Sequence, residues 1–191
     1  MAQHPKKARR DEMLPNPMQC TALGVLHSPF KVHLGTPRQP GVGDRRDGRI
    51  EIYHGYQNLL KDLDGFSHVW VLGWLHHAHG WNDLVQPPRD DQKRGLFATR
   101  SPHRPNPIGL SVFEIRRIEG RHVHIGPHDL HDGTPILDLK PYLPYADAIP
   151  DAHSGWVGEL GSESRSSDEL DHRPWPGARP ATDNDEPESD R

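Results

Sequence analysis

Three prolines within six residues, Pro102, Pro105 and Pro107, interrupt the stretch RGLFATRSPHRPNPIGLS at positions 94–111. Each proline removes a backbone donor and fixes φ, so this stretch is neither a helix nor a central strand. It lies between two strand signals, and Gly95-Leu96-Phe97 and Leu110-Ser111-Val112 are expected to supply its buried ends. The same punctuation continues along the chain. Runs of strand character occur at 21–27, 48–54, 67–76, 95–100, 110–118 and 121–126, all short, with Gly, Pro or Asp in the gaps. Glu119-Gly120 reads as the hairpin turn between the last two. One helical segment is expected over YQNLLKDL (56–63), with Leu59, Leu60 and Leu63 on one face. Short strands at near-regular spacing with so little helix predict a mainly β chain, a barrel or a compact sandwich.

The two ends break that pattern. Residues 1–19 contain KKARR and PNPMQ but no long apolar core of the secretory kind, and they read as a flexible leader. From residue 160 onward Ser, Pro, Asp and Glu dominate, so too little surface can be buried to offset the ordering entropy, and a disordered acidic tail is expected. That tail has nine acids against four bases, net −5, in a chain of net −4, which leaves residues 1–159 at +1. A nearly neutral domain over 20–159 can meet a nucleic acid only through a local patch. No apolar run approaches the length of a membrane span. The single cysteine, Cys20, cannot form an internal disulfide, which fits a reducing cytoplasm.

Histidine is the outlier, with 15 residues. His76, His77 and His79 share one segment, and His122, His124, His128 and His131 another. On a strand His122 and His124 face the same way, and with Asp129 or Asp132 they would make a zinc or iron site of the hydrolase type. No CxxC or HExxH spacing accompanies them. There is no GxGxxG after a strand and no GxxxxGK[ST], so a nucleotide-like cofactor would not be held by a Rossmann turn. Two further segments are rigid and polar. GTPRQPG (35–41) holds Arg38 and Gln39 between Pro37 and Pro40, leaving extended backbone open to a planar ligand. In DLHDGTPILDLKPYLPYAD (129–147), Asp132-Gly133 has the chemistry of a tight turn, followed by two tyrosines and further prolines.

LGVLHSPF (23–30), GTPRQPG (35–41), LKDLDGFSHVWVLGWLH (60–76), RGLFATRSPHRPNPIGLSVFEI (94–115) and DLHDGTPILDLKPYLPYADAIPDA (129–152) together resemble, in order, the TsaA-like or TrmO family. These are S-adenosylmethionine-dependent tRNA methyltransferases. The match is nearer the shorter, archaeal-like subgroup without the longer C-terminal extension. The resemblance implies a small single β-barrel with one or two short helices, a non-Rossmann cofactor site and a homodimer. The implied activity is N6-methylation of the threonylcarbamoyl-modified adenosine at position 37, beside the anticodon. Cofactor contacts carried over are Pro37, Arg38, Gln39, His76, His77, Arg100, Leu110, Leu130, His131, Asp132 and Gly133. His77 stands where the best-studied bacterial members have Gln. Within that frame Arg100 suits a methionine carboxylate or a phosphate, because guanidinium is a planar multidonor. Asn106, set between Pro105 and Pro107, is expected to orient the target amine, with Arg104 on phosphate and Asp132 accepting hydrogen bonds. Two other classes of function compete: the His-rich metal-dependent hydrolase, and a non-catalytic module that binds S-adenosylmethionine or RNA.

Overall fold

The computed structural model describes residues 18–31, 36–37, 39–40, 44–88 and 90–160. The leader through residue 17, the tail from 161 and Arg38 lie outside the described residues. Six strands carry the architecture: β1 (Gly24–His27), β2 (Gly48–Ile52), β3 (His68–Trp74), β6 (Ile108–Glu119), β7 (His122–Ile125) and β8 (Pro135–Pro141). They pair antiparallel in the order β1-β2-β7-β6-β3-β8, and β8 pairs back onto β1. The ring of pairings is closed, with β8 meeting β1 at Pro135 and Ile136. A separate ribbon joins β4 (Leu84–Val85) to β5 (Arg94–Gly95), and α1 (Pro144–Asp147) and α2 (Trp156–Glu159) are single turns.

Alternation along each strand builds the core. Ile50 and Ile52 of β2, Val69 and Val71 of β3, and Val123 and Ile125 of β7 point inward, joined by Leu26, Phe113 and Ile136. Each such side chain contributes roughly 1.5–3 kcal/mol on burial. β1 and β2 approach so closely that a Cβ on Gly24 would sit 2.4 Å from the Glu51 carbonyl oxygen. Gly120, at φ 59°, makes the hairpin from β6 to β7 where the sequence places it.

Three local expectations are corrected. Two 3-10 turns, Gln57–Leu60 and Leu63–Gly65, replace the helix over 56–63, separated by Asp62 in the left-handed region. Leu60 closes the first turn and Leu63 opens the second, and both are buried while Leu59 is 69% exposed. The segment 95–100 is a strand only at Gly95; Leu96–Ala98 is a 3-10 turn whose Leu96 amide bonds Asp83 O. One side chain of that turn, Leu96, reaches the interior, whereas Phe97 is 81% exposed and Leu110 57% exposed. Strand β8 lies outside the runs of strand character because Pro135 and Pro141 bracket it; both sit at its ends, where a missing donor does least harm.

The strands converge on two rims. The carboxyl ends of β1, β3 and β7 and the amino ends of β2, β6 and β8 share one rim. The two 3-10 turns cover the other, around an apolar cavity of about 230 Å³ lined by Leu23, Ile52, Tyr56, Leu60, Phe66 and Leu139.

Candidate active site

None of the described candidate residues lines that cavity; those that pack together do so on the opposite rim. The proline-rich loop enters it braced from inside and outside. Leu75 N–H donates to Pro107 O at 2.7 Å, and His103 Nδ1 lies 3.0 Å from His79 O, fastening the loop to the turn after β3. Arg104 Nη1 donates to Thr99 O at 3.0 Å, and the guanidinium lies 5.6 Å from the centroid of the Phe97 ring. Arg104 is thus turned into its own loop. Asn106 is exposed, and its carbonyl accepts from Ile108 N–H at 2.8 Å. Held this way, the loop presents Arg100, whose Nη1 donates to Gln39 Oε1 across 61 residues of sequence.

The turn before β8 is pinned to the end of β1. Gly133, at φ 75°, turns the chain where a side chain would be strained. Its N–H reaches Leu26 O at 2.9 Å, and Asp132 N–H reaches Phe30 O at 2.7 Å. Asp132 Oδ1 accepts from Ser28 N–H at 2.8 Å, with Lys31 Nζ 3.8 Å from Oδ2. The Asp132 carboxylate therefore anchors two rim loops to each other. Leu130 is buried beneath this turn. Above it, His131 Nδ1 lies 3.2 Å from Thr36 Oγ1. The His131 ring meets His77 edge to face at 5.9 Å, and His77 lies against His76 at 3.8 Å.

Two titratable groups lie below the surface of this rim. His128 is wholly buried, edge-on to Phe30 and Phe113 at centroid distances of 5.3 and 6.0 Å. Its Nδ1 accepts from Leu130 N–H at 3.4 Å, while Nε2 has no hydrogen-bond partner. Burial pushes its pKa down to about 4, so the imidazole is neutral at physiological pH. Next to it, both oxygens of Asp129 accept from Ser111 Oγ, at 2.9 and 3.1 Å. Burial pushes the Asp129 carboxyl up to about 6, against the opposing pull of the Ser111 hydroxyl and the Arg100 charge.

Of the residues named from sequence, Gln39, His76, His77, Arg100, Leu130, His131, Asp132 and Gly133 meet on this rim, with Pro37 buried beside Thr36. Leu110 stands exposed at the start of β6, next to Ser111. The metal constellation of the competing hydrolase reading is not assembled among the described residues. With Val123 and Ile125 facing the core, His122 and His124 face outward, and His124 Nε2 lies 3.2 Å from Glu119 Oε2. Asp129 and Asp132 are bonded to Ser111 and Ser28 instead. Among the described residues no group of three or more His, Cys, Asp or Glu could hold an ion. Sequence reasoning passed over Ser28, Thr36 and Ser111. All three lie inside the quoted motifs, but only the tertiary structure brings the Ser111 hydroxyl to Asp129.

Relatives share this framework. A tRNA (adenine(37)-N6)-methyltransferase of Escherichia coli is 38% identical over 149 residues, covering 73% of this chain and 63% of that protein. A probable S-adenosyl-L-methionine-binding protein of Pyrococcus abyssi is 38% identical over 135 residues, covering 71% and 73%. The crystal structure of TrmO from Pseudomonas aeruginosa superposes with a TM-score of 0.60 at 35% identity, over 73% of this chain and 62% of that one. The chain thus spans less than two thirds of the length of the Escherichia coli relative. Residues 25–148 match the tRNA-methyltransferase O N-terminal domain, and the chain belongs to that family.

Proposed function

We propose that this protein is an S-adenosylmethionine-dependent tRNA methyltransferase. Its target is N6 of the threonylcarbamoyl-modified adenosine at position 37, beside the anticodon. It works in the cytoplasm as a homodimer whose subunits are single small β-barrels. The observation that carries the reading is convergence: Gln39 with Arg100, and Thr36 with His131, join segments 61 and 95 residues apart on one rim. The donor set fits the cofactor. It combines a guanidinium, a partly desolvated carboxylate, a row of imidazole faces for a purine ring, and a glycine turn with close backbone.

S-adenosylmethionine supplies an electrophilic methyl group on a sulfonium. The chain's own part is positioning, which can account for much of the acceleration in such a transfer. Arg100, steadied by Gln39, offers two parallel donors to a carboxylate. Asp132 keeps the Leu130–Gly133 turn against β1 and so sets the shape of the cofactor edge. Asn106, exposed on a loop stiffened by three prolines, orients the target amine. Arg104 reaches a phosphate only by leaving Thr99 O and Ser101 O.

Mass spectrometry of tRNA nucleosides from a deletion strain tests the reading. The N6-methyl group on the modified adenosine is expected to vanish, and an unchanged nucleoside profile would sink the assignment. The role given to Asn106 is abandoned if Asn106→Ala keeps wild-type single-turnover methylation.

A further inference from the structure

Asp129 has the least settled surroundings of any carboxylate on the rim. It precedes the Leu130–Gly133 turn, and its two oxygens share the single proton of the Ser111 hydroxyl. A carboxylate offers about four acceptor positions, so capacity remains for a further donor. Among the described residues no cationic group lies within ion-pair distance of it; Arg100 acts on it through its field while its Nη1 bonds Gln39. Asp132 differs, because Ser28 N–H and Lys31 already engage it. With Ser111 Oγ and its own backbone N–H as donors and no cation paired to it, a partly desolvated anion is costly and suits an added cation.

We infer that Asp129 is the acceptor for the α-ammonium group of the cofactor's amino-acid end, with Arg100 taking the α-carboxylate of the same zwitterion. The inference rests on the proposed methyltransferase reading and names a residue beyond the contacts carried by the family resemblance. An α-amino acid carries opposite charges one carbon apart, and Arg100 and Asp129 present opposite charges on one rim, where Gln39 holds Arg100 and Thr36 bonds His131, two residues beyond Asp129. Charge complementarity of this kind fixes which way round the end group binds. The groups acting on Asp129 are Ser111 Oγ from β6, its own backbone N–H and the charge of Arg100 from the proline-rich loop; the preceding His128 is neutral.

Calorimetry with two stable probes decides it. S-adenosylhomocysteine carries the amino-acid end, and methylthioadenosine has the same nucleoside and thioether without it. Asp129→Asn is expected to weaken S-adenosylhomocysteine at least about tenfold, the loss of one charge-assisted contact, and to leave methylthioadenosine within about twofold. Equal losses for both probes would mean that Asp129 only supports the fold, and no loss for either would remove it from the site. Should Asp129→Asn fail to fold, Ser111→Ala serves. Loss of the hydroxyl raises the pH below which S-adenosylhomocysteine affinity falls, and an unmoved profile overturns the inference. A wild-type chain that binds neither probe would bring down the cofactor reading itself, whereas normal wild-type binding with an indifferent Asp129→Asn brings down this inference alone.

Discussion

The neighbours His128 and Asp129 should pull the pH dependence of stability in opposite directions. His128 titrates near 4 in the folded chain against 6.5 for an unconstrained histidine. Between pH 6.5 and 4 the unfolded state takes up a proton that the folded state refuses, so acidification removes about 3 kcal/mol. Asp129 titrates near 6 when folded against 3.8 when free. Between pH 6 and 3.8 the folded state takes up its proton first, so acidification restores about 3 kcal/mol that is lost as pH rises. In the wild-type chain the two nearly cancel. His128→Leu, close in volume and without the unpaired Nε2, should therefore gain stability relative to wild type as pH falls from 7 to 4. Asp129→Asn should lose it over the same range, each by about 3 kcal/mol. Carboxylates held below their usual range, such as Glu51 and Glu119, destabilise all three proteins alike in acid and drop out of the differences. Urea unfolding at half-unit steps of pH measures this, since linear extrapolation carries errors of roughly 10–15%. Profiles for wild type and His128→Leu that run parallel within about 1 kcal/mol would refute the claim that burial holds this imidazole neutral.

Gly24→Ala places a methyl group 2.4 Å from a backbone oxygen, and thermal melts should show a loss of about 3 kcal/mol or more. Gly65→Ala, with open space and no positive φ, should instead stay within about 1 kcal/mol of wild type. Asp132→Ala leaves Ser28 N–H without its acceptor and should cost about 1–3 kcal/mol in urea unfolding, with Asp132→Asn recovering most of it. Trp156 donates from its indole to Ala98 O at 2.9 Å and carries Arg94 over its ring at 5.3 Å. Trp156→Ala should therefore speed proteolytic cleavage after residue 150; an unchanged cleavage rate would show that this contact does not hold the segment.

Much of the fold was legible because strands advertise themselves locally. Val69 and Val71 alternate with His68 and Trp70, and any strand with that pattern buries one face. The hairpin at Gly120 was legible for the same reason, since a positive φ narrows the choice of residue. The helix over 56–63 misled because Leu59, Leu60 and Leu63 fit helical spacing; extended Lys61 ends the first turn, left-handed Asp62 starts the second, and of the three only Leu60 and Leu63 face the core. Strand β8 was hidden by its bracketing prolines, whose harm depends on whether a neighbour needs their donor.

The rim shows the same division. Residue types by themselves determined that Gly133 turns the chain and that three prolines constrain the loop at 102–107, while motif order carried the family resemblance that singles out Pro37, Gln39, Arg100 and Asp132. Only tertiary structure decided that Gln39 steadies Arg100, that Arg104 braces its own loop, and that Asp132 is an anchor. It alone decided that His128 loses its proton and Asp129 keeps one longer, because solvation is a property of the whole surround. A sequence lists which groups can ionise or donate; how much water each keeps depends on strands distant in the chain.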